Sequence, residues 1–196
     1  MKETLFSLAM IEKNLDKLLS KIAVFRFVNL HFKGYSVEYV CVMEMVKRIK
    51  EEIPKDYYID IDIRDLPNSA RKKDDLDKKR ADIVRKIINR NLSRKKFKHW
   101  LHKSVSIDNV LEQLNERLEK PALIIFHQFK DPNSQKEKDI LTSIRKFIEM
   151  KSSLLLGILI ISNHKTVKWD LTPWSPLDER HIEFFPISVS NNKGSK

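Results

Sequence analysis

The chain has 196 residues, a net charge of +11, 41% hydrophobic residues and 33% charged ones. That length suits one domain with a sizeable core and leaves little room for two, and the composition is that of a globular chain rather than a disordered one. The longest apolar run, Leu154 to Ile161 around Gly157, is too short to cross a bilayer. Acids and lysines interrupt the apolar positions of the first 20 residues, unlike a signal peptide, so a cytoplasmic protein without a membrane partner is expected. Cys41 is the only cysteine, which excludes a disulfide within this sequence and a thiolate cluster for structural zinc.

Leu5, Leu8, Leu15, Leu18, Leu19 and Ile22 recur at helical spacing and predict an amphipathic helix over residues 1–22, packed on the core. Its leucines either cover the edge of a sheet in the same chain or pair with a helix of another chain. Phe25 to Leu30 reads as the first strand. Ser36 can cap a helix through Val40, Met43, Val46 and Ile49, which Pro54 ends. Tyr57 to Ile63 alternates as a second strand, with isoleucines on one face and Asp60 and Asp62 on the other, followed by a polar loop around Pro67-Asn68-Ser69. A helix follows with Leu76, Ile83, Ile87 and Leu92 on one side and Val84 and Ile88 beside them.

A further helix begins at Ser106, carries Val110, Leu111, Leu114 and Leu118, and finishes before Pro121. Ala122 to Phe126 is a continuous apolar run, as expected of a strand buried on both faces. Asn133 or Ser134 can cap the helix from Lys136 to Met150. Leu155 to Ile161 is another buried strand, Ile182 to Pro186 a short last one, and residues 190–196 a disordered tail. The alternation predicts one α/β domain over residues 23–189. Its expected form is a three-layer sandwich with a mostly parallel five-stranded sheet and helices on both faces.

The turn after the first strand, Val28 to Ser36, has the outline of a phosphate-binding loop, G-x-x-x-x-G-K-[ST]. Gly34 and Ser36 stand where the second glycine and the hydroxyl belong. Asn29 replaces the first glycine, and Tyr35, after Lys33, replaces the lysine, so a bulky neutral ring stands where a cation reaches phosphate.

The order of strand, degenerate loop, helix, acidic strand, long helices and two buried strands resembles the P-loop ATPase core of the STAND and AAA+ classes, over about residues 24–188. The resemblance implies that the strand at 122–126 should end in the acids that hold Mg²⁺. His127 and Gln128 occupy those positions, while Asn163 matches the polar sensor residue after the next strand. It therefore implies a P-loop NTPase fold without its nucleotide chemistry. Such a chain would be no enzyme, without cofactor, and would serve as a scaffold between effector and sensor subunits, as inactive STAND-like modules do in prokaryotic defence and signalling systems.

Between Arg64 and Lys103 the chain carries 15 Lys and Arg against 5 Asp, nearly all of its excess charge. Arg90, Arg94, Lys95, Lys96, Lys98, Trp100 and Lys103 are candidate contacts to nucleic acid or to an acidic partner, with Phe97 or Trp100 stacking on a base. The other reading packs Phe97, Trp100 and Leu101 inward at i, i+3, i+4 and leaves the cations solvated. A nucleic-acid-binding protein using residues 71–103 is thus the alternative function. A metal-dependent or residual nucleotide-hydrolysing enzyme comes third.

His31, His127 and His164 each fall at or past the end of a predicted strand and would be neighbours if those ends converge. Six histidines scattered over many loops give such a pattern by coincidence, so no metal is expected. Asp60 and Asp62 lack a following Glu-x-Lys strand and read as the outer face of a half-exposed strand rather than a nuclease pair. The loop with Trp169 and Trp174 either anchors a partner or folds back over the sheet.

Overall fold

The computed structural model describes residues 15–16, 18–20, 27–31, 37–53, 57–69, 73–91, 101–131, 133–150, 155–162 and 181–183. In chain order these form β1 (Phe27–His31), α1 (Val37–Glu52), β2 (Tyr58–Asp62), a 3-10 turn (Ile63–Asp65), α2 (Lys73–Asn91), α3 (Ile107–Arg117), β3 (Ala122–Phe129), α4 (Gln135–Met150), β4 (Leu156–Ser162) and β5 (His181–Glu183). The fold is α/β: the strands lie in the order β2-β3-β4-β1-β5, and every neighbouring pair is parallel.

Burial along the strands follows their place in the sheet. β4 is buried at every position, as are the first five residues of β3, while β2, at the sheet edge, alternates. On one face Ile59, Ile61, Ile124, Phe126, Ile158 and Ile160 pack against α2, α3 and α4. On the other, Leu123, Ile125, Leu159 and Ile161 pack against Met45, Val46 and Ile49 of α1 and against the helical residues Leu15 and Leu18. Those two leucines cover the sheet's face rather than its edge.

β3 runs three residues past the apolar segment. The register passes from Phe126 opposite Ile160 to Phe129 opposite Ser162, so β3 carries one extra residue, and Gln128 takes a positive φ of 72°. Strict alternation would put Phe129 on the face opposite Phe126. The bulge returns it to the same face, 1% exposed in the same cluster.

Two helices differ from the predicted detail. The buried stripe of α2 is Arg80, Ala81, Val84 and Ile88, whereas Leu76, Ile83 and Ile87 sit on its flanks. A charged residue lies on the core side because Arg80 Nη1 donates to Asp139 of α4 at 2.9 Å and Nε to the Pro67 carbonyl at 3.0 Å. Ser134 rather than Asn133 caps α4, its hydroxyl accepting the Glu137 N–H.

Candidate functional site

Strand alternation gathers the charged residues of β2 and β3 on one face. Tyr58, Asp60 and Asp62 stand opposite in sense to Ile59 and Ile61, and in register Asp62 is level with His127 at the carboxyl end. Lys50, in the last turn of α1, reaches across this face. Its Nζ donates to Asp60 Oδ2 at 2.9 Å and lies 4.9 Å from the centre of the Tyr58 ring. His127 Nε2 approaches Asp60 Oδ1 to 3.4 Å, a contact that becomes an ion pair when the imidazole is protonated.

Asp62 caps the 3-10 turn. It accepts the Arg64 N–H at 2.9 Å and the same residue's Nε at 2.9 and 3.0 Å. Burial raises the Asp62 pKa, but the Arg64 hydrogen bonds outweigh it and hold the carboxyl below its ordinary value, with His127 adding to the effect. Burial, then the Asp60 carboxylate, pushes the Tyr58 phenol well above its usual range. Tyr58 Oη, Asp60 Oδ1 and His127 Nδ1 are buried with no hydrogen-bond partner among the described residues. Buried polar atoms of this kind are commonly satisfied by a water or a ligand group.

The loops at this end are tied down from below. Lys136 Nζ donates to the Leu66 carbonyl at 2.6 Å, and burial, with the Arg80 charge behind it, lowers the Lys136 pKa. Glu137 Oε1 accepts the N–H groups of Lys130 and Asp131, fixing the turn that follows the bulge. Sequence reasoning missed Lys50, Arg80, Lys136 and Glu137, because their partners lie in other elements or across a loop. For Glu137 a signal existed: Ser134 followed three residues later by a glutamate is a helix-start pattern. Here the carboxylate serves the preceding loop.

His127 and Gln128 sit at the end of β3, in the bulge. Asp60 and Asp62 lie on the outer face of β2, yet are engaged by Lys50, Arg64 and His127 rather than merely solvated. Asn29 is on β1, level with Ile160 and His181. His31 ends β1, level with Ser162. The expected convergence of His31 with His127 is corrected: β4 lies between β1 and β3, which sets their ends two strand spacings, about 10 Å, apart. Among the described residues no group of three or more His, Cys, Asp or Glu is placed to hold a metal ion.

Arg90 is exposed in the last turn of α2 and Lys103 exposed in the segment after it. Lys33, Gly34, Tyr35, Ser36, Asn163, His164, Arg94, Lys95, Lys96, Phe97, Lys98, Trp100, Trp169, Trp174 and the tail 190–196 lie outside the described residues. Among those described, no helix is long and apolar enough to cross a membrane.

The winding of the chain marks where a ligand would sit. The helix after β1 covers one face, and those after β2 and β3 cover the other. In open parallel sheets the crevice at the carboxyl ends, where that direction changes, is the usual ligand site.

No family model and no curated protein matches the chain. Among solved structures it is similar to the Walker-type ATPase PABY2304 of Pyrococcus abyssi, at a TM-score of 0.54 and 19% identity. The match covers 88% of this chain and 52% of that one, so the chain spans about half the length of its structural neighbour. At this identity the likeness shows the fold, that of a P-loop NTPase. It also corrects the expectation that the chain is no enzyme, since the neighbour on this fold is an ATPase.

Proposed function

We propose that this chain is a P-loop-NTPase-type module that works inside a larger protein assembly, of the kind that couples effector to sensor subunits in prokaryotic defence and signalling. The observation that carries the reading is a surface. Val105, at 58% exposure, is the one large apolar residue exposed among the described residues, and it stands in a groove with Lys78, Lys79 and Lys103. A partner covering this groove would take its apolar lining out of water and meet the three lysines, which have no ion-pair partner among the described residues.

A second reading rests on a different observation. Asp62 and His127 face each other at the carboxyl end of β2 and β3, beside the bulge, and an imidazole backed by carboxylates can move protons for a nucleotide in the crevice. The ATPase on the same fold supports it.

Size-exclusion chromatography of the tagged chain from its native cells, with mass spectrometry of whatever co-elutes, tests the first reading. Elution at the monomer's volume at native expression level rejects it. Mg-ATP turnover by the purified chain, abolished in His127→Ala, would install the second reading beside the first. Absence of turnover in the purified assembly removes the second.

A further inference from the structure

The groove beside Val105 holds about 550 Å³ and is lined by Pro67 after β2, by Lys78, Lys79, Asp82 and Ile83 of α2, and by Lys103, Ser104 and Val105. Its shape is set by the fold. Residues 101–105 run back along α2, pinned where Asn89 Oδ1 accepts the Leu101 N–H at 3.2 Å and where Gln113 Oε1, from α3, accepts the His102 N–H at 2.9 Å. Leu101 itself is buried at 4% exposure, so the segment is anchored in the core and the groove stands open without a partner present.

Most polar groups of the lining are already satisfied from within. Asp82 pairs with Arg85 and with Lys86, whose Nζ lies at 2.7 Å, and these two cations hold its carboxyl below the ordinary range. The Ser104 hydroxyl accepts from Gln113 Nε2 at 2.7 Å and donates to the His102 carbonyl. The Pro67 carbonyl accepts from Arg80. What remains is an aliphatic floor of Pro67, Ile83 and Val105, and three exposed ammonium groups, on Lys78, Lys79 and Lys103, with no ion-pair partner among the described residues.

We infer that this groove docks an acidic segment of a partner protein that carries an aliphatic side chain flanked by carboxylates. The inference rests on the assembly reading above and names the chemistry of the partner. Charge complementarity selects an anionic ligand, and the floor decides which anion. Single-stranded nucleic acid binds by stacking bases on aromatic rings or guanidinium planes, and among the described residues the lining has neither. An aliphatic floor rimmed by lysines matches a leucine or isoleucine set among glutamates or aspartates. Of the two expected contacts to nucleic acid that the structure describes, Arg90 and Lys103, only Lys103 is part of this lining.

The test is fluorescence anisotropy on the full chain with three labelled probes of equal charge: a short peptide of glutamates around two central leucines, an all-glutamate peptide, and a single-stranded DNA oligonucleotide. The leucine-containing peptide should bind roughly tenfold more tightly than the all-glutamate one, and Val105→Ser should abolish that advantage. Lys78→Glu, Lys79→Glu and Lys103→Glu should each weaken it roughly five- to tenfold. Lys120→Glu makes the same change of net charge at an exposed site before β3, at the other end of the sheet, and should leave binding unaltered. All five positions are on the surface, and circular dichroism confirms that the variants fold.

Equal loss in Lys120→Glu overturns the inference in favour of general charge attraction. Tighter binding of the oligonucleotide, insensitive to Val105→Ser, overturns it in favour of nucleic acid, and failure of every probe to bind rejects it outright. If the peptide binds in the groove while the chain elutes alone from its cells, the assembly reading fails and the groove's preference stands. If a co-eluting partner is released by none of the groove variants, the inference fails and the assembly reading stands.

Discussion

The two faces of this sheet are built on different terms. Toward α2, α3 and α4 the described side chains of β2, β3 and β4 form an apolar cluster that includes Ile59, Ile61, Ile124, Phe126 and Ile160. Toward α1 the centre of the sheet is equally apolar at Leu123, Ile125, Leu159 and Ile161, but the β2 edge turns polar, with Asp60 drawn to Lys50 and His127, and Asp62 to Arg64. Among the described residues, three helices close the first face, and α1 with the helical residues Leu15 and Leu18 covers the centre of the second. Polar chemistry collects at the edge of that second face. Stability should be concentrated on the dry face and pH sensitivity on the polar edge.

The most severe way to break that contrast is to open the dry face. Phe126 is fully buried opposite Ile160, so Phe126→Ala should cost about 3–5 kcal/mol of unfolding free energy. Urea denaturation measures it, and a loss below about 1 kcal/mol would mean that the face is not the packed core described here. The next effect belongs to the most deeply buried charge described on that side. Arg80 is 2% exposed and leans on Asp139 at 2.9 Å, with Asp77 farther off at 3.7 Å. Asp139→Ala leaves the guanidinium without its main counter-charge, and about 3 kcal/mol should be lost. Replacing both partners by apolar residues should restore part of it, because the Arg80 charge then no longer needs compensation.

These residues also show what a sequence makes legible. Ala122 to Phe126 and Leu155 to Ile161 read as buried strands because no polar residue interrupts them, and β2 reads as a half-exposed strand because its isoleucines alternate with aspartates. All three are local patterns. Arg80 gave no such signal: an arginine in a helix full of cations looks solvated, and only its tertiary position beside Asp139 shows otherwise. The bulge at His127–Gln128 was equally hidden, since it exists to bring Phe129 back to the face of Phe126, a demand set by packing. For the site, β2's aspartates were legible as one face, but their meeting with Lys50 and His127 depends on which strands are neighbours. The strand order also defeated the histidine grouping, because spacing along the chain does not say that β4 lies between β1 and β3.

The smallest expected effect sharpens the contrast from the polar side. Arg64 holds the Asp62 carboxyl below its unfolded value, which is near 4. A carboxyl with a depressed folded pKa stabilises the fold above its unfolded pKa, and that contribution drains away as pH falls through the folded one. Stability should therefore rise between about pH 2 and pH 5, and Asp62→Asn should flatten part of that rise while leaving the protein unchanged at the acid end. Arg64 is 63% exposed, so water and salt screen the pair and the difference at neutral pH should stay below about 1 kcal/mol, shrinking as salt is added. A loss as large as that of Asp139→Ala, or one indifferent to salt, would place Asp62 in the same class as the buried pair. The division between a dry structural face and a titrating edge would then have to be redrawn.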